Sequence, residues 1–368
     1  MIEKRIEGLR TMMQAQNWEA CYVNNPVNVR YLSDFTGGEA ELFITANTAA
    51  LITDSRYTIQ AQEETKGVFQ VITVGGGLQS IYDKVKDLAE AERVKIIAIE
   101  ENYVTHKEYK FAEAALNGMI LKDQDGAVAT LREIKDAQEL AVMENAAAIG
   151  DAAFAYVLQL IKPGMTENEV KNELEHKMKQ LGASSTSFET IVASGVRSAM
   201  PHGTASEKII EDGDIVTMDF GCVYQGYCSD MTRTFFVGDP TKRPETKQLM
   251  EIYDIVNTAR QKAADAAQAG MTGAQMDAIA RDYIKEHGYG QYFGHGTGHS
   301  VGLEIHETPN VSPRNTNPLP EGVVVTIEPG IYVEGLGGVR IEDSVYLTKK
   351  GCRYLTKTPR ELLIVDNR

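Results

Sequence analysis

The chain repeats itself. Residues 163–182, PGMTENEVKNELEHKMKQLG, return as AGMTGAQMDAIARDYIKEHG at 269–288, an offset of 106, with Gly164, Met165, Thr166 and Gly182 matched by Gly270, Met271, Thr272 and Gly288. Downstream of each copy a second pair matches at an offset of 109: VTMDFG at 216–221 and VTIEPG at 325–330. Two unlike elements recurring at nearly one offset read as an old duplication, so this part of the chain must fold as two similar halves around a core. Thr166 and Glu169 form a capping-box pattern, and both copies read as helices entered through a Gly-Met-Thr turn. The matched strands are short and apolar, and each ends in a carboxylate followed by a turn glycine: Asp219 in one copy, Glu328 in the other. A duplicated domain that closes its two halves together sets those carboxylates face to face.

The first third of the chain reads differently. ACYV, LFIT, AALIT, FQVIT and VKIIAIE read as strands, and SIYDKVKDLAEAE and HKEYKFAEAAL between the later ones read as helices. This alternation predicts an α/β domain with a mixed sheet. The opening residues read as an amphipathic helix with Ile6, Leu9 and Met13 on one stripe. Near KDQDGAVATLR the pattern changes, and an alanine-rich helical region follows from about Asp136 to Ile161, ending at KPG. A length of 368 residues suits two domains. The boundary is expected near residue 125, with an α/β domain over 1–125 and a duplicated α+β domain over 126–368.

The formal net charge of −15 argues against a nucleic acid partner. No apolar run approaches the roughly 18 residues of a membrane span, and the start has no continuous apolar core of a secretory signal. Cys21, Cys222, Cys228 and Cys352 form no CxxC pair and suit reduced thiols, so a cytoplasmic location is expected.

The carboxylates have companions. After Asp219 the chain reads as a hairpin turning near Gln225-Gly226, and the returning strand carries Asp230. After Glu328 it does the same, with Glu342 on the return and Arg340 expected on the same strand face. Any one of these acids alone is most simply a solvated or capping residue. Four of them converging from two copies of one motif would raise one another's pKa values unless a cation neutralised them. Hard or borderline divalent metals suit such a site, and one imidazole would complete it. Three of the seven histidines lie in GHGTGHSVGLEIHE, residues 294–307. His295 and His299 are four apart, but Gly296 follows the first and the glycines argue against the helix an HExxH motif needs; the lysine of a phosphate loop is also missing. A glycine-rich segment delivering one histidine onto carboxylates fits better. GLEIHE alternates and reads as a strand carrying His306.

The ordered set PHG, MDFG with SDMTRTF, GHGTGHSVGLEIHE, TIEPGIY and GVRIEDS resembles the creatinase/aminopeptidase P/prolidase/methionine aminopeptidase family, the pita-bread metallopeptidases. The resemblance covers roughly residues 130–365, and LITDSRYTIQAQEE resembles the smaller α/β domain that precedes the catalytic domain in some members. It implies a pita-bread catalytic domain with five metal ligands at Asp219, Asp230, His299, Glu328 and Glu342. His306 matches the histidine that contacts the scissile carbonyl, and His202 the one that steadies the tetrahedral intermediate. Arg340 matches an arginine of the proline-specific members, and His295 a substrate-side histidine. The implied activity is hydrolysis of the Xaa-Pro bond, in dipeptides or at the N-terminus of peptides, by hydroxide bridging two divalent ions (manganese first, cobalt or zinc otherwise), with Glu328 also carrying the proton. A homodimer is implied as well. The alternatives are a methionine-type or general aminopeptidase, or a non-catalytic binding member of the same fold. Cys222 and Cys228 read as packed thiols, Thr232 as a residue behind the ligands, and His106, His176 and His287 as surface residues.

Overall fold

The alternation of the first third builds one mixed six-stranded sheet. Its strands run, edge to edge, Gln70–Val74, Ala49–Asp54, Ala40–Thr45, Ala20–Val23, Ile96–Ile99 and Ile120–Asp123. Ala40–Thr45 pairs antiparallel with both of its neighbours, and the other three pairings are parallel. The strand Ala20–Val23 is buried along its whole length, as its unbroken apolar run requires. Tyr22, Phe43 and Ile97 share a core with Tyr82 and Val85 of the helix Leu78–Ala91. Ile6, Leu9 and Met13 are buried on the first helix, on the stripe that the sequence marks. The helices Pro26–Ser33 and Thr58–Glu64 are too short for periodicity to reveal them.

The computed structural model describes residues 2–75 and 77–367, which form two units, Met1–Arg132 and Glu133–Arg368. The change of pattern near residue 125 coincides with a turn in which Asp125 and Gly126 both have positive φ. The division itself falls one short helix later, because Arg132, 3% exposed, donates to Asn28 at 2.8 Å and belongs to the first unit.

The second unit displays the duplication. A 21-residue helix, Ala137–Val157, is followed by the 14-residue helix Glu167–Gln180; the 21-residue helix Thr246–Ala266 is followed by the 14-residue helix Gly273–Glu286. Both shorter helices start in a full capping box, Thr166 with Glu169 and Thr272 with Gln275. Both end at a glycine in the left-handed region, Gly182 at φ 110° and Gly288 at φ 85°, where a β-carbon would be strained. The two N-cap threonines also make equivalent antiparallel bridges, to Ile209 and to Pro318. Phe154, Val170 and Leu174 meet Val216 and Phe235 in the first half; Ile252, Met276 and Ile284 meet Val325 and Ile327 in the second. Ala137–Val157 is long and apolar enough to cross a membrane by composition alone, the one such helix among the described residues. Its Leu140, Met143, Ala146, Ala153 and Phe154 are buried in these cores, the packing of an interior helix.

Each half then offers a strand, a protruding hairpin and a return strand. In the first, Asp214–Phe220 leads through Cys222–Tyr224 and Tyr227–Cys228 to Met231–Val237; the hairpin turns at Gln225 and Gly226, both at positive φ. In the second, Val324–Ile327 leads through Gly330–Val333 and Gly337–Arg340 to Asp343–Thr348. Asp219 and Glu328 therefore precede a hairpin, and Asp230 and Glu342 follow one. The expectation that Arg340 and Glu342 share one strand is corrected here. The ladder changes partner between them, from Gly330–Val333 to Val324–Ile327, which leaves Ile341 and Glu342 outside both strands.

Candidate active site and metal centre

Two strand–hairpin–strand units with acids at the same corners close on one cavity of about 760 Å3, lined by Asp219, Asp230, His299, Glu328, Glu342 and Arg340. His202, His295 and His306 also line it, so every site residue expected from the sequence comes together there. His106, His176 and His287 are exposed.

The interior of the cavity is fixed by local folding. His299 sits in the three-residue strand Gly298–Ser300; its amide donates to Thr326 Oγ1 at 3.0 Å, and its Nδ1 lies 3.1 Å from the Ser300 carbonyl. Nε2 is thereby left to face the acids, 3.5 Å from Asp230 Oδ2 and 3.3 Å from Glu328 Oε1. A side chain at position 298 would strike the Thr326 carbonyl, so only glycine lets the His299 strand pass there. Glu328 is held by its amide, which donates to the Thr297 carbonyl at 2.8 Å, and by Thr326 Oγ1, 3.1 Å from Oε1. Arg340, 3% exposed, spends its guanidinium on Asp219 Oδ2 at 2.6 Å, Tyr332 Oη at 2.7 Å and Thr232 Oγ1 at 3.2 Å. Tyr332 Oη also lies 3.0 Å from His295 Nε2. Tyr332 lies inside TIEPGIY with no spacing to mark it, and only the folded hairpin brings it between Arg340 and His295.

The electrostatics are those of an acid cluster awaiting positive charge. Burial, then the charges of Glu342, Asp219 and Glu328, push the Asp230 carboxyl well above its ordinary range. Burial, then Glu328 and Asp219, do the same to Glu342. Glu328 is raised by burial, with His295 and Arg340 offsetting part of it. Burial lowers His299 and keeps its imidazole neutral, the form that ligates metal. Asp219 Oδ1 and Glu342 Oε1 are buried and have no hydrogen-bond partner. Ligand atoms of Asp230, His299 and Glu342 lie within 4.8 Å of one another. Orphaned, converging carboxylate oxygens plus one neutral imidazole fit a divalent cation.

His306 departs from expectation in its backbone. Residues 302–306 form bends, and the strand starts only at Glu307. Two contacts account for it: the Gly302 amide turns back to the Glu304 carbonyl at 3.0 Å, and Glu307 pairs with buried Lys135 at 2.9 Å. The exposed His306 ring packs edge-on to His299 with centroids 4.5 Å apart, and burial followed by the charges of His299 and His202 lowers its pKa. His202 is likewise exposed, in the turn after the short helix Gly195–Ala199. Cys222 and Cys228 are buried thiols, pushed by desolvation up to about 11 and about 12, which suits packing and not ligation.

A set of buried and half-buried acids with one imidazole and flanking histidines in an open cavity defines a metallohydrolase-type centre. Residues 141–349 match metallopeptidase family M24, and residues 5–134 match the creatinase/prolidase N-terminal domain; the chain belongs to family M24. It is 40% identical to an Xaa-Pro dipeptidase of Pyrococcus furiosus over 98% of this chain and 100% of that one. Among solved structures it resembles an Xaa-Pro dipeptidase from Bacillus anthracis (TM-score 0.93, 43% identity, 99% of this chain and 100% of that one). It also resembles an X-Pro aminopeptidase from Thermotoga maritima (TM-score 0.89, 41% identity, 96% and 100%). Membership of this family makes the chain a metal-dependent peptidase that works with divalent ions.

Proposed function

We propose that this chain, a metal-dependent Xaa-Pro peptidase, cleaves the bond before a proline in second position, in Xaa-Pro dipeptides or at the N-terminus of longer peptides. In this reading it uses two divalent ions, manganese in preference to cobalt or zinc, held by Asp219, Asp230, His299, Glu328 and Glu342. One observation carries it: five oxygen and nitrogen donors from both halves converge on the cavity, and Asp219 Oδ1 and Glu342 Oε1 among them are buried without a partner. Ions bound there would supply Lewis acidity and bring a water's pKa toward neutrality.

The chain's own groups do the rest. Glu328 takes the proton from the attacking water and returns it to the proline nitrogen as the bond breaks. His306 and His202 donate to the carbonyl oxygen of the first residue as it gains negative charge. His295, tied to Tyr332, lines the substrate side. Arg340 holds Asp219 at 2.6 Å and keeps it aimed at the centre. The substrate's free amino group meets the acidic cluster, which restricts cleavage to a chain end. The four free thiols accord with a cytoplasmic location, and a homodimer is expected; sedimentation showing only monomer at micromolar concentration would count against the dimer.

The test is hydrolysis of Xaa-Pro, Xaa-Pro-Yaa and Xaa-Ala peptides by the manganese-loaded protein. Both proline series should be cleaved far faster than the alanine analogues, and their ratio measures whether dipeptides or longer chains are preferred. Equal turnover of Met-Ala peptides would establish the methionine-type activity instead. Binding without turnover would establish a non-catalytic member.

A further inference from the structure

Two buried acids outside the metal centre do the same job in the two halves. Glu167, 0% exposed, opens the helix Glu167–Gln180. Its Oε1 accepts both the amide and the hydroxyl of Ser194 at 2.8 Å, and its Oε2 accepts the amide and hydroxyl of Ser206 at 3.1 and 2.7 Å. Arg197 pairs with the same carboxylate, and its other nitrogen donates to the Thr204 carbonyl at 2.9 Å. These bonds grip both ends of the 194–206 loop, and His202 sits on the loop between the gripped ends.

The second half repeats the chemistry with different residues. Asp277, 1% exposed, lies on the helix Gly273–Glu286. Its Oδ1 accepts the amide and the hydroxyl of Thr297, both at 2.9 Å. Arg281 pairs with it at 2.6 Å and donates to the carbonyls of Phe293 at 3.0 Å and His295 at 2.6 Å. In both halves the 14-residue helix plants a buried acid on a loop and the acid takes amide and hydroxyl together, from two serines in the first half and one threonine in the second, while an arginine on that acid binds one loop carbonyl in the first and two in the second. The acids do not align in the repeat: Glu167 matches Gly273, and Asp277 matches Lys171. A fold needing only a stable helix has no use for the same clamp built twice from unaligned positions, each time on the loop that brings a histidine to the cavity.

We infer that Glu167–Arg197 and Asp277–Arg281 are paired positioning clamps, the first setting His202 and the second setting His295 against the substrate. The inference rests on the peptidase reading. Charge-assisted bonds to a fully buried carboxylate are the stronger kind, and they remove loop freedom before substrate arrives. The clamps touch no substrate and act through the histidines.

The experiment is a double-mutant cycle on the full-length, manganese-loaded protein with an Xaa-Pro peptide. Glu167→Gln should lower kcat about 10- to 100-fold, the scale of a small misplacement of a reacting group, with metal content and KM near wild type. In a His202→Ala background it should cost nothing further, whereas in a His295→Ala background its full effect should persist. Asp277→Asn should show the mirror pattern, silent behind His295→Ala and fully effective behind His202→Ala. Should either variant fold poorly, Ser194→Ala and Thr297→Val remove only the hydroxyl donors, with Ser194→Thr and Thr297→Ser as rescues. Amide exchange gives a readout apart from activity: Glu167→Gln should speed exchange at Ser194 and Ser206, and Asp277→Asn at Thr297, with both helices still protected. Equal losses in every background would overturn the clamps while leaving the peptidase reading intact. An inactive wild type would sink the peptidase reading, and unchanged amide exchange in the variants would then overturn the clamps on its own.

Discussion

Thr232 and Glu342 are bonded twice: Thr232 Oγ1 donates to Glu342 Oε2 at 2.7 Å, and the Glu342 amide donates to the Thr232 carbonyl at 3.1 Å. Thr232 is also the cross-strand partner of Asp219, and its hydroxyl accepts from Arg340 at 3.2 Å. One fully buried hydroxyl therefore sits at the seam between the two halves of the acid cluster. Thr232→Val should strand both Arg340 Nε and Glu342 Oε2 and cost about 1–3 kcal/mol of stability, together with weaker manganese binding. Thr232→Ser should keep both. Denaturant titration and metal titration of the two variants check it; a serine variant as impaired as the valine one would show that the hydroxyl is not what matters.

Metal dependence follows from the raised acids. Asp230, Glu342 and Glu328 have folded pKa values above their unfolded ones. The metal-free fold therefore holds extra protons, and these three groups cost it stability as pH rises above about 4, where unfolded carboxylates ionise. His299, His306 and His295, lowered by burial, work in the opposite direction, but only up to about pH 6.5, where the unfolded imidazole has itself lost its proton. A cation displaces the protons, so the rise in melting temperature given by saturating manganese should grow between about pH 5 and pH 8. Exhaustive chelation should abolish activity, with manganese or cobalt restoring it. Full turnover by demonstrably metal-free protein would end the proposal.

The neighbouring rings of His299 and His306 should separate under mutation. His299→Ala should weaken metal binding and lose activity, partly recoverable with excess metal. His306→Ala should keep its metal and lose about 10²-fold or more in kcat, the scale of a lost oxyanion donor. Metal analysis beside kinetics decides between them, and the reverse pattern would invert the assignment.

Asp343 follows Glu342 and is the hub of a buried cluster: Arg233 at 2.8 Å, Arg260 at 2.9 Å and Arg360 at 2.9 Å. Burial alone would raise its pKa, but Arg233, Arg360 and Arg260 outweigh it and hold the carboxyl below its ordinary range. Its contribution is present above about pH 4 and is lost as pH falls through the depressed folded value. Asp343→Asn leaves three guanidiniums short of charge and should cost about 3–5 kcal/mol, read as a lower denaturant midpoint at neutral pH. A change under 1 kcal/mol, on the order of an exposed pair, would show that the cluster is dispensable.

The sequence is most legible where local rules act. The repeat helices, the Gln225-Gly226 turn, the stripe of Ile6, Leu9 and Met13, and the gathering of nine site residues all follow from spacing or motif. Three things escaped it, each for a physical reason. The GLEIHE segment alternates like a strand, yet a turn at Gly302 and the Lys135–Glu307 pair bend it. Arg340 and Glu342 look like neighbours on one strand, but a change of ladder partner separates them. Glu167 and Asp277 carry no mark in the sequence, because their partners lie 27 and 20 residues away. Contacts between distant positions are set by packing, and a single sequence carries no local trace of them.

The acids flanking the two hairpins are not interchangeable in length. The first half offers two aspartates and the second two glutamates, and the imidazole that lies 3.5 Å from Asp230 and 3.3 Å from Glu328, His299, comes from the second half. Both halves repeat a strand, a hairpin and a return strand, but the acids they present are lopsided, with short arms on one side and long arms on the other. Each half thus supplies what the other lacks, and the donor set is whole only where both halves line the same cavity.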